Sequence, residues 1–301
     1  MHRRTFLAGS AALAAAPVLA RGQDPLPVGS FPESAPRFRK GVKLSMLTGA
    51  ETAEAKFALA KEAGFAGVDV DGDTRDVPAL KAASEATGLP VHGVVYGRSW
   101  KTKFSDAEPG ARAEAVAGLK DALRDCAELG GTSVLAIPAV VNEGTPYGEA
   151  YTRAAEAIGE AVPVAEETGV DLLFENVWNN FLLSPLETAN FIDGFGSERV
   201  GAYFDVGNVV RYGWPTHWIA ALGPRIRKLD IKEYSRALQR NEGLWKGFGV
   251  ELGEGGVDWP AVRAALEMIG YRGWATAEVP GGDLERLTDV AERMDRVLGL
   301  A

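Results

Sequence analysis

Leu172-Leu173-Phe174-Glu175, Ala202-Tyr203-Phe204-Asp205, Arg227-Lys228-Leu229-Asp230 and Thr276-Ala277-Glu278 are four strand-like runs that each close on an acid. A buried carboxylate without a partner is strongly disfavoured, so acids at the ends of successive strands imply something shared, and a divalent cation is the simplest candidate. Outward from these runs the chain alternates two patterns. Strand-like segments fall at 42–47, 66–70, 90–95, 133–137, 170–175, 200–205, 226–232 and 273–278, and helical periodicity follows each, at 52–63, 77–87, 112–129 and 147–168 in the first half. Glycines stand where the helices should stop, at Gly64, Gly88, Gly130, Gly169 and Gly270.

Eight strand–helix units in about 260 residues have the length and period of an α/β fold of the (β/α)8 TIM-barrel type, spanning 41–301. A doubly wound open sheet is the alternative. No strand leads into a Gly-x-Gly-x-x-Gly turn, and ring closure is what would bring the acid of the eighth strand near that of the fifth. Along 226–232 the side chains alternate, so Lys228, Asp230 and Lys232 face the barrel axis and Leu229 and Ile231 face the helices. A lysine and an aspartate at one rim suggest an ion pair near the cation or a contact to substrate. Acids after strands also cap the next helix, and Asp205 before Val206-Gly207-Asn208 is open to that reading.

The 301 residues are 46% hydrophobic and 24% charged, enough for a sizeable core, and the formal charge of -9 gives no diffuse positive field. Nucleic acid is excluded as the expected partner, since no Lys and Arg cluster interleaved with aromatics tracks a phosphate backbone. Cys126, the single cysteine, repeats with Leu123 and Leu129 at helical spacing and reads as a core residue. Residues 1–20 read as an export signal: Arg3 and Arg4 precede an apolar run from Phe6 to Leu19, and Val18-Leu19-Ala20 is a small-residue cleavage pattern. His2-Arg3-Arg4-Thr5-Phe6-Leu7 is similar to a twin-arginine signal, with a general secretory signal or an uncleaved anchor as alternatives. The expectation is a periplasmic or secreted protein without a stable membrane anchor after cleavage. Residues 21–40, rich in Pro, Gly and Ser, read as a linker.

Five motifs together resemble the xylose-isomerase-like barrels, a superfamily of sugar isomerases, ketose 3-epimerases and inosose dehydratases. They are Phe174-Glu175-Asn176, Phe204-Asp205-Val206-Gly207-Asn208, the stretch 226–233 around Asp230 and Lys232, Leu252-Gly253-Glu254-Gly255-Gly256-Val257-Asp258-Trp259, and 270–278 ending on Glu278. The resemblance runs from about residue 41 to the C-terminus. It implies a divalent-metal-dependent sugar isomerase or epimerase in which Glu175 and Glu278 bind the metal and exchange a proton on opposite faces of the sugar, through an enediolate. It further implies Asp205 as a ligand and Asp230 in the place of a ligand that is normally histidine. Asn208 stands where a family histidine usually stands, and Arg236 matches an arginine six residues past the strand-seven ligand, both as substrate contacts. A metal-dependent lyase or dehydratase acting on a keto sugar or inosose, and a sugar-binding barrel without catalysis, are the alternatives. A zinc endonuclease of the related class is disfavoured, because its cluster needs many histidines and the chain has 3.

The all-oxygen set of Glu175, Asp205, Asp230 and Glu278 favours Mn²⁺ or Mg²⁺ over Zn²⁺. Four ionised carboxylates around such an ion leave two negative charges, so Lys232 or Arg236 balances them or one acid stays protonated. His92 and the stretch Gly97-Arg98-Ser99-Trp100-Lys101 are expected at the same rim, with His92, Trp100, Lys101 and Lys232 contacting the sugar; His92 fits a structural role equally well. Trp178, Trp214 and Trp245 read as pocket walls or as packing, and 233–255 as a lid or a surface insertion. The expected partner is a small carbohydrate, with a homo-oligomer left open.

Overall fold

Eight parallel strands pair in sequence order and close on themselves: β1 (Phe38–Lys43), β2 (Gly67–Val70), β3 (Val91–Tyr96), β4 (Ser133–Ala136), β5 (Asp171–Glu175), β6 (Val200–Asp205), β7 (Ile226–Ile231) and β8 (Gly273–Ala277). The last strand returns to the first along a register from Phe38 opposite Gly273 to Val42 opposite Ala277. This is the expected (β/α)8 barrel. The structure, a computed structural model, describes residues 36–71 and 75–300; the export-signal segment 1–20 and most of the linker lie outside the described residues.

Alternation along the strands sorts the side chains. Val68, Val94, Val134, Leu172, Phe204, Leu229 and Ala275 are buried in the main core between sheet and helices. A second, smaller cluster of Leu135, Ile137, Leu173 and Tyr203, with Val95 and Val177 against it, fills the interior on the β3–β6 side. On the other side the interior is polar, with Lys43, Asp69, Lys228, Asp230 and Thr276 all buried. Tyr203 joins the two halves, its hydroxyl 2.7 Å from both Asp69 Oδ2 and Thr276 Oγ1. Two register slips set this division. One falls between β2 and β3, where His92 is the extra residue, and one between β6 and β7, where it is Arg227.

The structure corrects the sequence reading at two places. β1 begins at Phe38, inside the segment read as linker, and residues 44–46 of the expected first strand form a 3₁₀ turn instead. Its inward positions are Arg39, Gly41 and Lys43, so the strand carries no apolar stripe towards the axis and only Val42 onward has the look of a strand. The single helix expected over 147–168 is two, Tyr147–Gly159 and Val162–Thr168. Pro163 lacks the N–H that an unbroken helix needs there and fits the first turn of a new one. The glycine stops at Gly88 and Gly169 do hold left-handed backbone, with φ of 68° and 71°.

Beyond the strands, the loops after β1 and β8 are stapled together. Gly282 N donates to Met46 O at 3.0 Å and Gly49 N donates to Gly282 O at 3.1 Å. A Cβ on Gly281 would collide with the Met46 carbonyl. Gly281→Ala therefore forces the two loops apart, and strain of this kind costs about 1–3 kcal/mol. The expected result is a lower urea midpoint with an unchanged slope; a wild-type midpoint would mean that the loops separate freely.

Candidate active site

β5, β6 and β7 carry Glu175, Asp205 and Asp230 at their ends, and Glu278 follows the last residue of β8. One carboxylate oxygen of each lies within 4.8 Å of the others. The four acids singled out in the sequence thus form one cluster at the C-terminal mouth, the end where barrel enzymes place their chemistry. Glu175, Asp205 and Asp230 are buried, whereas the Glu278 side chain keeps 32% of its surface exposed to the mouth.

Local sequence explains how these side chains are held. Asp205 Oδ1 accepts the N–H of Asn208 at 2.6 Å and caps the short helix Val206–Val210, so the capping role and a place in the cluster coexist in one residue. Asn208 in turn donates its amide to Glu175 Oε1 at 3.3 Å and to Asn176 O at 3.1 Å. Asn176 and Asp205 exchange two further hydrogen bonds, which locks the ends of β5 and β6 together.

Two ammonium groups enter the cluster. Lys232 Nζ lies 2.8 Å from Glu278 Oε2 and 3.1 Å from Asp205 Oδ2, and 5.4 Å from the centre of the Phe248 ring. Lys43, the last residue of β1, sets its Nζ 2.9 Å from Asp230 Oδ2 and 3.3 Å from Glu278 Oε1. Sequence reasoning missed Lys43, because a first strand read as 42–47 puts its rim at Leu47. The signal that finds it is register: with Val42 opposite Ala277, the next residue stands beside Glu278.

Charge and burial then pull the acids apart. Burial pushes Glu175 up to about 8, aided by the charge of Glu278 and opposed by Lys43 and Lys232. Burial likewise raises Asp205 to about 6 against the pull of Lys232, and raises Asp230 well above the usual carboxylate range against Lys43. At Glu278 the upward push of burial is overruled by Lys43 and then Lys232, which hold it down at about 2. In the metal-free protein at neutral pH, Glu278 is therefore ionised and Glu175 holds a proton.

The donor set fits a divalent cation. With all four acids ionised, the state in which carboxylates ligate a cation, they leave two negative charges against the two ammonium groups, which is the charge such an ion cancels. Asp230 Oδ1 is buried with no hydrogen-bond partner, and Asp205 Oδ2 and Glu278 Oε2 meet only the shared Lys232 ammonium, at 3.1 and 2.8 Å. Oxygens alone, with lone pairs left over, suit a hard ion.

Above the cluster opens a cavity of about 320 Å³, with Lys43, Lys232 and Glu278 in its floor and Met46, Phe248 and Pro280 in its walls. Of the substrate contacts expected from the sequence, Lys232 lines it. Asn208 lies beneath, holding Glu175. Trp100 and Lys101 sit exposed after β3 and do not line this cavity. Arg236 is turned elsewhere, because its guanidinium donates to Val210 O and Gly213 O and lies over the Trp214 ring. His92 is not at the rim. As the extra residue of the β3 bulge it stacks on Trp274 at 4.2 Å deep in the barrel, and its Nδ1 lies 2.9 Å from Lys228 Nζ. Burial, then Lys228, hold its imidazole well below its usual range and therefore neutral.

The long connection after β7 is a fixed wall. The buried Glu233 carboxylate accepts hydrogen bonds from Tyr234 N, Val257 N, Gly253 N and Trp259 Nε1, all within 3.2 Å. Phe248 on this connection packs against Trp178, ring centres 4.9 Å apart, and Trp178 Nε1 donates to Asn208 O at 3.0 Å. Trp178 therefore backs the cavity wall, while Trp214 and Trp245 are largely exposed.

The chain belongs to the xylose isomerase-like TIM barrel family, whose model matches residues 57–298. Over 154 residues it is 27% identical to a 2-epi-5-epi-valiolone 7-phosphate 2-epimerase of Actinoplanes sp., a match covering 51% of this chain and 53% of that protein, so it spans about half the length of that curated relative. Among solved structures it is similar to an L-ribulose 3-epimerase, with a TM-score of 0.73 and 19% identity over 87% of this chain and 95% of the other. It is also similar to the IOLI protein with a bound zinc atom, with a TM-score of 0.73 and 15% identity over 87% and 98%. At these identities the structural likeness is one of fold.

The raised carboxyls give the metal-free protein a defined pH dependence. Glu175 and Asp205 titrate higher when folded than unfolded, so the stability they contribute is whole below about pH 4 and is lost as pH rises through 6 and 8. Glu278 acts oppositely, but only as pH falls towards 2. The urea midpoint of chelator-treated protein should fall between pH 5.5 and 8.5, and less so in Glu175→Gln. An equally steep fall in the variant would show that Glu175 does not carry the slope.

Proposed function

We propose that this chain is an exported, metal-dependent sugar isomerase or epimerase that works through an enediolate, with Glu278 as base and Glu175 as acid. One observation carries the reading: one carboxylate oxygen of each of the four acids lies within 4.8 Å of the others at the C-terminal mouth, where a cation and an acid–base pair can act on one substrate. A divalent cation, Mn²⁺ or Mg²⁺, held by Glu175, Asp205, Asp230 and Glu278 would polarise a carbonyl and its neighbouring hydroxyl.

The side chains do the rest. Glu278, reaching into the cavity, takes the proton from the carbon next to the carbonyl, and the C–H electron pair becomes the double bond of the enediolate. Glu175 gives its proton to the same carbon from the other face, which inverts it, or to the former carbonyl carbon while the hydroxyl proton of the first carbon passes to the oxygen of the second, which moves the carbonyl. Asn208 holds Glu175 for this transfer through Oε1, and Lys232 presents its ammonium to substrate oxygens from the floor. Each turnover leaves Glu278 protonated and Glu175 ionised, and exchange with solvent at the mouth restores both. The sugar epimerases among the similar proteins support a carbohydrate substrate, and the zinc of the IOLI structure supports a cation in such a barrel. Export is supported by Arg3, Arg4 and the apolar run behind them.

In heavy water, metal-loaded protein given a panel of free ketoses and 3-oxo sugars should place deuterium at the carbon next to the carbonyl of its substrate, with the carbon skeleton intact. Glu175→Gln and Glu278→Gln should each lower turnover by roughly 10² or more. Near-normal turnover in both variants would remove the two glutamates from the mechanism, loss of a substituent would make the enzyme a lyase, and silence on every sugar a binding protein.

Metal binding is tested separately by heat. Mn²⁺ or Mg²⁺ should raise the melting temperature of the wild type, and Asp230→Ala should remove most of that rise. An equal rise in both would show that Asp230 is no ligand.

A further inference from the structure

Lys43 has no role in the proton transfers above, yet it is among the most constrained cations in the molecule. It ends β1 and is paired in register with Asp69 of β2 on one side, while the neighbouring Val42 pairs with Ala277 of β8 on the other. Its side chain is 6% exposed and crosses in front of β8, so that its ammonium reaches Asp230 on β7, two strands away, and touches Glu278 on the way. The contact divides the Asp230 carboxylate. Oδ2 is taken by Lys43 at 2.9 Å, while Oδ1 is buried and has no partner at all. A terminal carboxylate torsion is broad and settles on no single rotamer, so an aspartate needs an outside contact to fix which oxygen faces a ligand.

We propose that Lys43 is the positioning residue of the acidic cluster: by holding Asp230 Oδ2, it aims Oδ1 at the common centre of the four acids and makes an aspartate serve as a cation ligand on β7. The inference rests on the reading of the cluster as a divalent-cation site. It carries a sign that a bystander charge does not share. Deleting a positive charge a few ångströms from a cation site strengthens cation binding by simple electrostatics. Deleting a residue that aims a ligand weakens it.

Titration of the full-length protein with MnCl₂, followed by calorimetry, separates the two. Lys43→Met should bind Mn²⁺ about tenfold or more weakly than the wild type, the size of effect that outer contacts to a metal ligand produce. Binding as tight as the wild type, or tighter, overturns the proposal. Lys43→Met strands Asp230 without its partner and can fail to fold, which far-UV circular dichroism would reveal. The decisive pair is then Asp230→Asn against Asp230→Asn/Lys43→Met, in which no uncompensated Asp230 charge is left. If Lys43 acts through Asp230, its removal from the Asp230→Asn protein costs no further affinity; a further loss of about tenfold overturns the proposal. A wild type that binds no Mn²⁺ sinks the cation reading itself, and that result is distinct from every comparison among variants.

Discussion

The mouth of this barrel is organised by the meeting of four carboxylates with two ammonium groups, all but Glu278 largely withdrawn from bulk water. Such a group of charges is stable only as a set, since removing one member leaves another buried and uncompensated. Lys43 and Lys232 approach Glu278 from opposite sides, each also taking one of the flanking aspartates, Asp230 and Asp205. Glu278 therefore sits between two positive charges and Glu175 does not. The difference in their titration follows from that placement.

The rest of the architecture serves this set. The apolar interior on the β3–β6 side gives the barrel an ordinary packed core, which leaves the β7, β8, β1 and β2 side free to carry charge. The cavity opens on the charged side, its walls supplied by the stapled loops after β1 and β8 and by the connection that Glu233 ties down. That connection has the length of a lid, but a carboxylate accepting four N–H groups holds it in one place. Substrate would meet a preformed wall there, with Phe248 presented by the aromatic stack on Trp178.

The acids were legible in the sequence for a physical reason. An inward-facing carboxylate at a strand end interrupts an apolar run in a way that alternation makes visible, so Glu175, Asp205, Asp230 and Glu278 stand out together. Lys43 was not legible, because Arg39 and Gly41 behind it strip β1 of any apolar pattern towards the axis and the strand reads four residues late. His92 was placed at the rim because a bulge cannot be read from spacing, and the slip at β3 sends its ring inward and down. Arg236 stands at the expected count from Asp230, but a count along the chain does not say that its guanidinium will be claimed by the carbonyls of Val210 and Gly213.

The His92 bulge has a consequence for traffic. Its imidazole lies flat on Trp274, Arg39 covers another part of that indole, and Lys228, Tyr203 and Thr276 fill the space between this floor and the acids. The barrel is thereby a blind well, stopped at the bottom by stacked rings. A molecule that enters at the mouth must turn back and leave by the same opening before another can take its place. Glu278 keeps its exposed face at that same opening, so any proton it exchanges with solvent passes through the doorway that a bound molecule must use.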